Sequence, residues 1–318
     1  MLHSGTGGAN SCYVDWGDGY AEYAKTSGEY LSHTYETAGT YTLKIKANCY
    51  RIHFGIINND SSRLKIADLI YDSNGNWDAL GNITDGTDMF HTCQHAIFNF
   101  KTLPSNLENG RMMFCRCINS PLAIEKLPET LKNASYMFNN CSKAEFFISN
   151  IPKLLTNISS MFYYCGKATF PNLNTLPNNL SNIDSAFNTC TNAKIKINSL
   201  PSKLQSGSSA FYKCSNMTFN LSSLPDTLSN AANMFSGCSS ENNKFNLGKL
   251  PDSIVYAQYM FQNSGNSEII ISSLPSNIRY AQYLFSNAYN AKINLDELAK
   301  NAPDDGFKKL TSINYLFY

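Results

Sequence analysis

Little of this chain is charged: Asp, Glu, Lys and Arg make up 15% of its 318 residues, and 25 basic residues against 24 acidic ones leave it near neutrality. Nucleic-acid binders displace counterions with a basic stripe, and its absence argues against that class of partner. Long apolar runs are missing as well. No window approaches the roughly 18–20 apolar residues of a membrane span, so no membrane insertion is expected of this chain. The opening "MLHSGTGGAN" has no apolar stretch with basic flanks of the kind found in a signal peptide or anchor. A cytosolic or virion-borne protein, or a mature or trimmed piece of a secreted one, stays open on these grounds. A hydrophobic share of 43% with 13% aromatics fills a core and excludes intrinsic disorder. Asn and Ser, rather than Lys and Glu, dominate the polar remainder.

The organisation is a repeat. Phenylalanines recur at 90, 114, 138, 162, 187, 211, 235, 261, 285 and 317, mostly 24 residues apart. Leu-Pro keeps step at 103, 127, 176, 200, 224, 250 and 274, with Ile151-Pro152 filling the missing slot. Two markers in phase define a solenoid, whose units bury their apolar faces only against neighbours.

Each unit reads as strand, turn, short helix. Alternating segments such as "FNFK" (98–101), "IKIN" (195–198), "FNLS" (219–222) and "INLD" (293–296) read as strands with one buried face. Proline then stops the strand and turns the chain. An apolar residue stands three positions beyond it, and Asn often follows, at 109, 133, 157, 182 and 230, where it suits a helix N-cap. In "ASYMFNNC" (134–141), Ala134, Met137, Phe138 and Cys141 share one face at helical spacing.

These repeats, as in "LPNNLSNIDSAFNTC" (176–190) and "LPSKLQSGSSAFYKC" (200–214), resemble the leucine-rich repeats of BspA-like surface proteins. The variants "NASYMFNNCS" and "NAANMFSGCS" are similar to repeats of mycoplasma-type surface lipoproteins. The resemblance implies an α/β solenoid of the leucine-rich-repeat type and a bacterial surface or secreted adhesion module; similar arrays occur in phage-borne proteins. Upstream, Trp16-Gly17-Asp18-Gly19, His33-Thr34-Tyr35 and Ala38-Gly39-Thr40-Tyr41-Thr42 resemble the second half of a PKD-type immunoglobulin-like domain. The expected division is a partial PKD-like β segment over 1–49, an N-terminal capping coil over 50–88 with a candidate strand "LKI" at 64–66, and a solenoid of about nine coils over 89–318.

Seven cysteines follow the phenylalanines: Cys93, Cys117, Cys141, Cys165, Cys190, Cys214 and Cys238. Stacked coils hold parallel side chains about 4.8 Å apart, while a disulfide needs its Cβ atoms about 3.8 Å apart. The column is odd in number, and Ser264 and Ala288 continue it. It is read as a reduced core ladder. Off the column stand Cys12, Cys49 and Cys115. A Cys12–Cys49 bridge would bracket the PKD-like segment, but three strands alternating in direction place the two at opposite ends of the sheet. "HTCQH" sets His91 and His95 around Cys93, and "CRC" follows at 115–117; with both column cysteines in the core, too few ligands remain for zinc. "DWGDG" (15–19) lacks the spaced acids of a calcium loop and reads as an Asp-Gly turn. No metal and no cofactor is expected.

Counting back from Leu-Pro gives the outward strand positions. Four before the Leu stand Asn99, Ala123, Phe147, Asn172, Lys196, Asn220, Asn246, Ile270 and Asn294. Two before it stand Lys101, Glu125, Ser149, Asn174, Asn198, Ser222, Gly248, Ser272 and Asp296. No two acids occupy one column in adjacent coils, which argues against an enzyme. The face is polar and mostly uncharged. Its asparagines either bond to one another along the ladder or offer donors and acceptors to a ligand, with Phe147 and Ile270 as apolar anchors. The expected function is non-catalytic binding of a protein or glycan on a host or neighbouring cell, at the cell surface or outside the cell. The alternative is a structural or receptor-binding part of a phage virion.

Overall fold

The computed structural model describes residues 2–3, 12–25, 29–47, 51–52, 83–94, 96–98, 100–170, 173 and 175–293. Most of the expected capping coil, "LKI" at 64–66, Cys49, His95, Asn99, Asn172, Asn174, Asn294, Asp296 and Phe317 lie outside these residues.

The described residues from 83 to 293 form a β-solenoid. One wall is made of short parallel strands: β6 (Ala123–Ile124), β7 (Glu145–Phe146), β8 (Lys196–Ile197), β9 (Thr218–Leu221), β10 (Lys244–Lys249), β11 (Glu268–Ser273) and β12 (Ala291–Ile293). β8 to β12 form one continuous sheet in chain order, and β6 pairs with β7. Alternation places Phe98, Phe100, Ile195, Ile197, Phe219 and Leu221 in the core, all at most 5% exposed. At the corner the proline carbonyl accepts the N–H of the apolar residue three positions on. Leu131 donates to Pro128 at 3.1 Å and Leu204 to Pro201 at 3.0 Å, and the same turn recurs from Pro104 to Pro275. The spacing Pro-x-x-Leu is therefore one β-turn whose last residue points inward.

The expected helices are absent: no described residue is helical. The wall over 134–141 is instead a ladder of turns. Its N–H groups alternate between two kinds of partner. Ala134, Tyr136, Phe138 and Asn140 donate to Asn157, Ser159, Met161 and Tyr163 of the next coil, while Met137, Asn139 and Cys141 donate three residues back, to Ala134, Tyr136 and Phe138. Closing successive turns this way needs a left-handed residue every four positions. Tyr136 (φ 58°) and Asn140 (φ 59°) supply it here, and Ser185 (φ 54°) with Thr189 (φ 61°), or Tyr283 (φ 56°) with Asn287 (φ 56°), in other coils. Each such residue is disfavoured by about 1–2 kcal/mol in isolation and would break a helix. Eight residues are also too few for a helix to persist by propensity alone.

The asparagines taken for N-caps make the bond an N-cap makes, in another setting. Asn133 Oδ1 accepts the Ser135 N–H at 3.0 Å, Asn157 Oδ1 that of Ser159 at 2.8 Å, and Asn182 Oδ1 that of Asp184 at 2.8 Å. These are Asx-turns, aligned in a column of parallel bridges from Arg51 through Asp85, Asn109, Asn133, Asn157, Asn182, Ser206, Asn230 and Tyr256 to Tyr280.

Inside, the repeating phenylalanines form a near-parallel stack. Phe114–Phe138, Phe138–Phe162 and Phe187–Phe211 have ring centroids 5.5, 5.7 and 5.9 Å apart at interplanar angles of 11°, 13° and 9°. Rings from the opposite wall, such as Phe146, Phe170 and Phe219, meet this stack edge-on, at 70°, 73° and 67° to Phe162, Phe162 and Phe211.

The cysteines run beside the stack. From Cys117 onward each thiol of the column donates to the phenylalanine carbonyl of the preceding coil: Cys117 to Phe90 (3.1 Å), Cys141 to Phe114 (3.0 Å), Cys165 to Phe138 (3.0 Å), Cys190 to Phe162 (3.0 Å), Cys214 to Phe187 (2.8 Å) and Cys238 to Phe211 (2.9 Å). Ser264 Oγ makes the equivalent bond to Phe235 at 2.9 Å, and Ala288 then fills the next place with a small side chain that has no donor. Cys93 and all later members are buried free thiols, as is Cys115. Burial pushes Cys93, Cys115 and Cys238 up to about 12, and Cys117, Cys165, Cys190 and Cys214 upward as well.

At the N-terminus, β2 (Cys12–Asp15) lies between β3 (Ala21–Tyr23) and β5 (Lys44–Ala47), antiparallel to both. The expectation that the first and last of these strands run parallel is thus wrong. Between β3 and β5 the chain forms a further strand, β4 (Tyr30–Leu31), which pairs with β1 (Leu2–His3) and reverses the chain once more. Cys12 consequently faces Ala47 in register, at the same end of the sheet. Gly17 (φ 82°) packs so closely that a Cβ there would stand 2.5 Å from the Thr42 carbonyl oxygen, whereas one on Gly19 (φ 96°) would meet nothing within 4 Å.

Two stability comparisons follow from these contacts. Cys165→Ser keeps the donor and should change the unfolding free energy, read by denaturant titration, by less than about 1 kcal/mol, while Cys165→Ala should cost about 1–3 kcal/mol. Gly17→Ala should destabilise the N-terminal sheet by about 3 kcal/mol, well beyond the effect of Gly19→Ala, read from thermal unfolding by near-ultraviolet circular dichroism.

Candidate binding face

The outer face of the strand wall is where the sequence places its binding residues. Phe147 is 45% exposed. Lys196, Asn220 and Asn246 are exposed, and Ile270 is half-buried. The straight asparagine column does not form among the described strands. Asn220 stands level with Lys244, Lys244 with Glu268, and Asn246 with Ile270, which is itself level with Lys292. Lys196 is level with Thr218, and Ala123 with Glu145. Partners are 22 or 24 residues apart; β10 and β11 keep the alignment given by distance from Leu-Pro, while the other described pairs are offset from it by two. A two-residue slip keeps every side chain on its own face but shears the columns diagonally. At Gly248 (φ 57°) the pairing of β10 with β11 is irregular: Gly248 stands level with Ile271, one residue out of step, and Lys249 with Ser273 restores the register.

The slip brings in a row that counting back by two and four misses, six residues before the Leu, where Glu145, Lys194, Lys244, Glu268 and Lys292 are charged and Ile97, Pro121, Phe170 and Thr218 are not. The face is accordingly charged as well as amidic. Lys101 Nζ lies 2.8 Å from Glu125 Oε1, and Lys292 Nζ lies 3.8 Å from Glu268 Oε1. Extending the count one further alternation along the strand would have exposed this row in the sequence.

Other sequence candidates resolve into local structure. His91 Nδ1 sits 3.8 Å from Asp88 Oδ1, and among the described residues no three His, Cys, Asp or Glu side chains converge to hold a metal. In "DWGDG", Asp15 Oδ1 accepts the Gly17 N–H at 2.9 Å and Asp18 Oδ1 that of Tyr20 at 3.1 Å. His33 Nε2 donates to Asp18 Oδ2 at 2.5 Å, and this bond is the main reason the Asp18 carboxyl lies below its ordinary range. The His33 ring stacks between Trp16 and Tyr20, at 5.3 Å from each. The turn's acids are therefore engaged within the N-terminal sheet.

Two features were invisible to strand counting. Tyr256 stacks on Tyr280 (5.0 Å, 4°) and Tyr259 on Tyr283 (5.1 Å, 8°), so the repeated "YAQY" continues the column with rings where earlier coils have Asn or Ser. Tyr289, 81% exposed, stands beside the last described strand.

One charge couples strand wall to corner. Asp252 accepts from Lys249 Nζ (2.7 Å) and from the Ser276 N–H (2.8 Å), and these bonds bring its carboxyl down to about 2 from 3.8. A depressed folded value means stability present above 3.8 and lost as pH falls toward about 2. Asp252→Asn should lower the melting temperature near pH 5, and that deficit should shrink as pH is taken to about 2. The effect should be small, because the carboxylate is half-exposed.

No protein-family model, curated protein or solved structure matches the chain.

Proposed function

We propose that this protein is a non-catalytic binding protein whose exposed strand face recognises a protein or glycan, with a bacterial cell surface as its setting. The observation that carries this reading is the sheet β8 to β12. Its inner side chains are sealed in the core, while its outer face presents Lys196, Asn220, Lys244, Asn246, Glu268 and Lys292 on a rigid support. Alternating amides and charges with Ile270 among them offer donors, acceptors and a small apolar contact at fixed spacing, which is what recognition of a polar surface requires. The likeness of the Leu-Pro and Phe-x-x-Cys repeats to BspA-like proteins, and of residues 16–42 to a PKD-type domain, supports a place on or outside the cell.

The test is binding of the purified chain to host-type cells and to a glycan array, beside the triple variant Asn220→Glu, Lys244→Glu, Asn246→Glu. The variant should keep the wild-type melting temperature and lose at least about tenfold in affinity. Undiminished binding by the variant would place the site elsewhere. Failure of the wild type to bind either target would turn the reading to a structural part of a phage virion.

A further inference from the structure

Beside β12 lies an open hollow of about 540 Å³, lined by Glu241, Asn266, Glu268, Tyr289, Asn290 and Lys292 among others. Its unusual member is Tyr289. A ring 81% exposed gains little from burial, yet this one is held at two points. It lies directly over the backbone of Gly265, where a Cβ would come within 2.7 Å of Cδ2 and 3.2 Å of Cε2. Its hydroxyl donates to Asn287 Oδ1 at 3.0 Å, and Asn287 Nδ2 donates in turn to Asn263 Oδ1 at 2.8 Å. Fixing an exposed side chain costs rotamer entropy without a packing return. The same fixation lowers the cost of binding, because the platform is already set before a ligand arrives.

The polar groups around the platform narrow the ligand. Glu241 and Glu268 are acceptors, Asn266 and Asn290 supply both donors and acceptors, and Lys292 is a donor 3.8 Å from Glu268. Two carboxylates disfavour an anion. A lysine ammonium beside one of them, with no third metal-ligating side chain converging among the described residues, disfavours a bound cation. A flat apolar face with a rim of hydroxyls fits both halves of the site. We infer that the Tyr289 hollow is a saccharide subsite, in which a pyranose ring stacks on the tyrosine and its hydroxyls bond to the surrounding amides and carboxylates. This rests on the reading of the chain as a non-catalytic binder and specifies the ligand class and the place.

The experiment is a printed array of neutral and acidic glycans, followed by affinity measurement with the strongest-binding glycan. The proteins are wild type, Tyr289→Ala, Tyr289→Trp and Gly265→Ala. At least one glycan should be retained by the wild type. Tyr289→Ala should weaken it by about tenfold or more, and Tyr289→Trp should hold it within about threefold. Gly265→Ala should weaken it by displacing the ring, and Tyr289→Ala carries the test if the glycine variant does not fold. Equal binding by Tyr289→Ala and wild type would overturn the subsite while leaving the binder reading in place, as would cell binding with no glycan retained. Wild type that binds neither cells nor glycans would overturn both.

Discussion

Apart from the N–H that each Asx-turn side chain takes, a backbone N–H in the turn wall of this solenoid goes to one of two carbonyls: that of the neighbouring coil or that three residues back in its own. Everything else in the stack follows from how the turn wall divides its donors between them. Because leaving a buried amide unpaired costs about 1–3 kcal/mol, the alternation cannot drift. It fixes the left-handed residues, including Tyr136 and Asn140, and with them the direction of each side chain between. Phe138 then falls on Phe162, and Cys165 reaches the Phe138 carbonyl. The aromatic stack and the thiol column are consequences of this division of hydrogen bonds as much as contributors to stability.

The thiol column shows why a residue type can recur without chemistry attached to it. The phenylalanine carbonyl already accepts one N–H from its own coil, as Phe138 does from Cys141 at 3.1 Å, and retains a second lone pair pointing into the core. A small side chain with one donor completes it. Cysteine does so with little desolvation cost and Ser264 does so with a stronger hydroxyl bond. The raised thiol values are the electrostatic expression of the same fact, since a thiolate there would be both unsolvated and unable to donate.

How far the sequence could be read follows from what each signal depends on. Period and phase depend on stacking alone, so the solenoid, the Pro-x-x-Leu corner and the buried alternation of Phe219 and Leu221 were legible. The helix was not, because spacing of three and four residues at Ala134, Met137, Phe138 and Cys141 arises equally from successive three-residue turn closures, and Asn133 makes the same side-chain bond before either structure. Residue pattern cannot tell a chain of right-handed residues from one interrupted at every fourth. The binding face was legible as a face but not as columns. Inward and outward positions survive a two-residue slip, whereas the neighbours of Asn220 do not. Tyr289 escaped because its position depends on Gly265, a coil away.

The Phe-to-Phe interval of 24 residues also gives the molecule a unit of length. Gaining or losing one coil would move everything beyond it by one strand spacing, about 4.8 Å, while presenting the same corner, core and turn wall to the neighbours on each side. Reach and the separation between the N-terminal sheet and the far end of the stack are therefore adjustable in fixed steps, as on a ruler, by duplication of a segment that needs no new interface to be accepted.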